Sequence, residues 1–342
     1  MFQQLLTIAR NTFLESIRQP VFLVLLFIAS LLLGVLGPQL AAYTMDDDNK
    51  MMIDMGLSTL LLAGLFMAAF TATGVVSEEV EKKTVLTVIS KPVARPIFVL
   101  GKYLGVSTAL GLAFWIMATV FLLAVRHKVM QTASDAFDLP VIFFGLGAWL
   151  VAMIIAAVGN YLYQWVFTSS FITTLAGTAT LALLLVLMID REWHFQSIAF
   201  EFTQEGAIGA ALLIVMLLVF EAVLLLTAVA IAASTRLGQV MTLLICIAVF
   251  VLGLQSHTRL GPEAQQQVMD NATGVGSVVR LVLVKIGYWL VPNLQFLWLV
   301  DTLPRELNVP LSHVAWLTGY AALQITAVLC LAIALFQSRE VG

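Results

Sequence analysis

Eight runs of apolar residues, each long enough to cross a lipid bilayer, constrain most strongly what this 342-residue chain can fold into. They lie at about 21–41, 57–76, 97–125, 140–163, 171–189, 208–233, 236–255 and 313–336. Roughly 20 consecutive apolar residues in a helix span the hydrocarbon layer. Within that layer a helix satisfies every backbone N–H and C=O without help from water. Of the residues, 61% are hydrophobic and 11% are charged, against roughly 45–50% and about 25% in water-soluble domains. The pattern predicts an all-α integral membrane protein, a polytopic helical bundle of about eight transmembrane helices. Six is the alternative count, because no charge between Tyr161 and Ser170 separates 140–163 from 171–189. Those two runs could form a re-entrant pair.

Ahead of the first run lies an amphipathic segment. Phe2, Leu5, Leu6, Ala9, Phe13 and Ile17 share one helical face, and Gln3, Thr7, Arg10, Asn11, Glu15 and Arg18 share the other. That spacing, leading straight into a span, predicts a helix over 1–19 lying in the membrane interface. A signal peptide is not expected, because the apolar run that follows is too long.

Lys and Arg in short loops set orientation. A cytoplasmic amino terminus places Arg10, Arg18, Lys82, Lys83, Lys91, Arg95, Lys102, Arg236 and Arg339 inside, and only Lys50, Arg126, Lys128 and Arg191 in short outer loops. Both termini are then expected in the cytoplasm. The acidic stretch Met45–Lys50 reads as a solvated outer loop. Segment 256–312 is expected to be extracytoplasmic. Within it, Val275–Leu290 is apolar but interrupted by Arg280 and Lys285, which predicts an interfacial or docked helix and not a span. A net charge of −3 gives no basic face for nucleic acid. Cys246 and Cys330 sit in separate apolar runs and read as small hydrophobes.

The loop between the second and third runs carries the most information. Ser77 can cap a helix whose first turn holds Glu78, Glu79 and Glu81, where negative charge is favourable. Val80, Thr84, Val85 and Val88 can form one face. Pro92 stops the helix, and Pro96 suits the first turn of the next span. A short cytoplasmic helix bracketed by two spans follows from these residues.

That loop resembles a family motif. Glu79 and Glu81, Thr84, Leu86, the Ser90-Lys91-Pro92-Val93-Ala94-Arg95 turn and Gly101-Lys102 look like the hallmark of type-2 ABC transporter permeases. They are closest to the branch of nitrous-oxide-reductase maturation and gliding-motility permeases. Ala230–Thr242 is similar to that family's tight turn between its fourth and fifth spans, and Pro292–Phe296 with Phe336–Glu340 to its carboxy-terminal segment. The resemblance implies a single permease domain over 1–342 in a bacterial cytoplasmic membrane, dimerised with a second copy or a paralogue. The 77–96 loop would be a coupling helix docking on a cytoplasmic ABC ATPase. Glu79, Glu81, Thr84, Pro92, Arg95 and Lys102 would be the coupling residues. One departure is plain: the family core has six spans, so 140–189 would be an added pair.

No Walker A sequence, H-E-x-x-H or Cys/His cluster, or G-x-S-x-G elbow occurs. The chain is therefore expected to be a non-catalytic subunit with no cofactor of its own, ATP being bound and hydrolysed by the partner. One ionisable residue falls mid-span, Glu221 in the 208–233 run. It either lines a translocation path or glues two helices by a hydrogen bond. A mechanotransmitting role, in which 256–312 acts on an extracytoplasmic partner, is the alternative function.

Overall fold

The structure is a computed structural model describing residues 2–42, 48–77, 94–130, 137–202, 209–270, 275–299 and 310–337. It is built from helices. Among the described residues the one strand-like feature is a single bridge between Ile189 and Phe195. Helix α1 (Phe2–Arg18) precedes α2 (Pro20–Leu31), which runs through a π turn at Leu32–Leu36 into α3 (Gly37–Ala41). Then come α4 (Asp48–Ala72), ending in a π turn at Thr73–Ser77, and α5 (Arg95–His127). A hairpin of α6 (Leu139–Tyr163) and α7 (Phe167–Met188) follows, then α8 (Ala210–Ser234) and α9 (Gln239–Leu260). Two shorter helices, α10 (Pro262–Asp270) and α11 (Val275–Leu290), lead to α12 (Leu311–Gln337).

Eight of the described helical segments are long and apolar enough to cross a membrane: α2–α3, α4, α5, α6, α7, α8, α9 and α12. The chain is a multi-pass, all-α membrane protein. The expected re-entrant alternative for 140–189 fails on length. Helices α6 and α7 have 25 and 22 residues, about 37 and 33 Å at 1.5 Å per residue, each enough for a full crossing. Gln164, in a left-handed conformation (φ 57°), ends α6 and turns the chain back within three residues.

The hydrogen bonds between distant segments agree with eight alternating crossings. On the face that carries α1, Thr168 donates to the Arg18 carbonyl, Arg95 to that of Gln337, and Arg236 to that of Leu335. On the distal face, Arg126 bonds Asp138 and the Ile189 carbonyl, Val129 N–H donates to Asn49, and Asn293 N–H donates to Tyr320. Each tie joins positions that alternation puts in the same half of the bundle, all at segment ends except Tyr320, which lies within α12.

Three helices form the middle of the bundle. The apolar stretches of α5 and α8 are each 72% buried and that of α4 67%, against 22% for α6, α9 and α12. Lipid is as apolar as leucine, so helices associate here through close packing and polar ties. Gly64 of α4 meets Val223 of α8, and Gly56 meets the ring of Phe121 on α5, in both cases with no room for a Cβ. Helix α5 is longer than a bilayer requires. The 24 residue steps from Lys102 to Arg126 rise about 36 Å, so these two charges sit near opposite membrane boundaries.

Some boundaries differ from the sequence expectation. The acidic stretch read as a loop over Met45–Lys50 is partly helical, since α4 starts at Asp48. The seventh span starts at Gln239 instead of 236, because the Thr235–Gly238 turn ends α8 first. Val275–Leu290 is a helix of 16 residues, shorter than a span. Residues 43–47 and the loop over 78–93, including the expected helix and Glu79, Glu81, Thr84 and Pro92, lie outside the described residues.

Candidate functional site

Three polar constructions stand out in an otherwise apolar bundle. The first surrounds the stretch that follows the 78–93 loop. Ala94 is extended and caps α5, with Pro96 in the first turn, where a missing N–H costs nothing. Arg95 Nη1 donates to the Gln337 carbonyl at 2.5 Å, and Arg236 Nε to the Leu335 carbonyl at 2.8 Å. Two cations thus satisfy terminal carbonyls of α12, where the helix dipole is negative.

Two turns further along α5, Lys102 is 3% exposed. Its Nζ lies 3.5 Å from Glu15 Oε2 on α1 and 5.6 Å from the centre of the Phe98 ring. Glycines at either side let α1 lie against α5: a Cβ on Gly101 would fall 2.7 Å from Ile8, and one on Gly105 2.6 Å from the Ala9 carbonyl. Helix α1 therefore packs through Ile8, Thr12, Ser16 and Ile17, the last three buried, a face that overlaps the apolar face read from the sequence only at its carboxy-terminal end. Phe2 and Leu6 of that face are exposed, free to meet lipid at the interface.

The second construction is Glu221, mid-way along α8 and 9% exposed. Thr318 of α12 donates to its Oε1 at 2.8 Å. Oε2 is buried without a hydrogen-bond partner among the described residues. The bond ties a central helix to a peripheral one, and the second oxygen leaves an unused acceptor at mid-depth.

The third was missed in the sequence. At the distal ends of α5, α6 and α7, Arg126 is 3% exposed and Asp138 fully buried. Arg126 Nη1 bonds Asp138 Oδ2 at 2.5 Å, and its Nε lies 2.6 Å from Glu201 Oε1. The second pair is an ion pair without an aligned N–H. Asp190 and Arg191 flank the group, at 3.9 Å from Arg126 and 3.4 Å from Asp138. Gln196 donates to Glu201, and Asp138 also caps α6 by accepting from Val141 N–H. In the sequence these residues read as loop charges. The available signal was opposite charges recurring at the distal ends of three consecutive spans.

Of the residues expected to couple to an ATPase, Arg95 and Lys102 are described, and both anchor the first turns of α5. Comparison with protein-family models and with curated proteins gave no match.

Proposed function

We propose that this chain is the membrane-spanning subunit of an ATP-driven, ABC-type transporter, coupled through its 77–96 loop to a separate ATPase. The reading rests on the type-2 permease motif at Glu79–Lys102. The observation that carries it mechanically is where that loop joins the bundle. It connects α4 and α5, two of the three most buried helices, and its exit is fixed by Arg95 on α12 and Lys102 on α1. A push on such a loop reaches the middle of the bundle and two further helices, α1 and α12, at once. Alternating access would then rock this bundle against that of a second copy or a paralogue, with the termini in the cytoplasm of a bacterial cell and Glu221 on the path.

The test is coupled ATP hydrolysis by the reconstituted complex. Glu79→Ala with Glu81→Ala should lower substrate-stimulated hydrolysis at least tenfold while leaving the permease folded; unchanged stimulation would refute the coupling assignment. The mechanotransmitting reading draws on α10 and α11, which build a helical distal face between α9 and α12. A distal partner captured by the wild type and lost on removing 262–290 would favour that role over transport.

A further inference from the structure

The elbow between α1 and α2 has a shape and charge that neither the fold nor the proposed coupling explains. An open groove lies there, lined by Asn11, Leu14, Glu15, Arg18, Gln19 and Pro20. Its level relative to the membrane is set by two features. Pro20 opens the first span two residues after Arg18. Thr168 Oγ1 donates to the Arg18 carbonyl, bringing alongside it the α6–α7 turn, whose exposed Tyr161, Tyr163 and Trp165 mark an aromatic interface belt.

Among the described residues the groove lining holds one cation, Arg18, and one acid, Glu15. Among the described residues no carboxylate pairs with the exposed guanidinium of Arg18, while Glu15, the one acid in the groove, is engaged by Lys102. Below the groove an apolar strip of α2 is left exposed, through Val21, Val24, Phe27, Ile28 and Leu31. A cationic, amide-rimmed pocket at headgroup depth above a bare apolar strip matches one amphiphile, with an anion at the top and an acyl chain beneath it.

We propose that the elbow is a binding site for an anionic phospholipid of the leaflet on the α1 side. Arg18 takes the phosphate, Asn11 and Gln19 supply amide donors, and one acyl chain lies along Val21–Leu31. The site is independent of any ATPase, so it stands or falls separately from the transporter reading.

The experiment is native mass spectrometry of the full chain released from bilayers of equal phosphatidylglycerol and phosphatidylcholine. Wild type and Arg18→Lys should retain phosphatidylglycerol preferentially. Arg18→Gln should lose about fivefold of that preference, the weight of one cation near an anionic surface. Arg10→Gln, an exposed cation on the same helix outside the groove, should keep it. Equal retention of both lipids by the wild type, an unchanged preference in Arg18→Gln, or an equal loss in Arg10→Gln would each overturn the site.

Discussion

At the scale of single residues, the polar groups hold apart two kinds of work. Arg126 is a buried cation whose removal takes from Asp138 and Glu201 the buried counter-charge they share, leaving the more exposed Arg191 beside Asp138. Arg126→Ala should cost about 3–5 kcal/mol, read as a fall in the detergent melting temperature; a loss below about 1 kcal/mol would mean that the cluster is solvated. Glu221 is tied by one neutral hydroxyl. Intramembrane hydrogen bonds of this kind contribute about 0.6 kcal/mol on average, so a Glu221→Leu and Thr318→Val double-mutant cycle, in which each change removes the bond, should show coupling of that order. Glu221→Gln should leave stability nearly unchanged, since an amide oxygen can still accept from Thr318. If Glu221→Gln nonetheless abolished transport, the unused Oε2 acceptor would be the functional atom. The sequence displayed Glu221 plainly, because a lone acid in an apolar run has no local disguise. It hid Arg126, because a charge at the end of an apolar run reads as membrane flank until the partner ends are brought beside it.

At the scale of elements, periodicity announced every long helix, including α1 and the 16 residues of α11. It could not announce which face α1 would pack. Ile17 and Phe13 of the apolar face reach the core, but small residues decide close contact in lipid, and Gly101 and Gly105 admit Ile8 and Thr12 as well. Gly105→Leu should therefore lift α1 from α5 with little effect on the spans. Spin labels at Asn11 and Thr108 would then report a lengthened, broadened distance distribution, and an unchanged one would contradict the packing. The α6–α7 pair is testable by sidedness. Cysteines placed at Gln164 and Glu192 should react with an impermeant maleimide from opposite sides of sealed vesicles. Labelling of both from one side would restore the re-entrant alternative.

At the scale of the whole molecule, eight apolar segments arranged around α4, α5 and α8 define a multi-pass bundle, and the end-to-end ties make the crossings alternate. The 78–93 loop joins two of the central helices, α4 and α5, and its exit is clamped by Arg95 and Lys102. That arrangement, with the motif in the loop, is the physical case for an ATP-driven permease. Composition and hydropathy made the membrane class legible at once. They carry no information on the partner, because an ATPase leaves its mark only in the few residues it touches. The most direct test is to tag the chain, extract it from its native membrane in mild detergent and identify what remains bound. The account predicts a Walker-motif ATPase that stays with the full chain and is lost when 78–91 are deleted while the bundle still folds. A folded, monodisperse chain that never retains such an ATPase would contradict it.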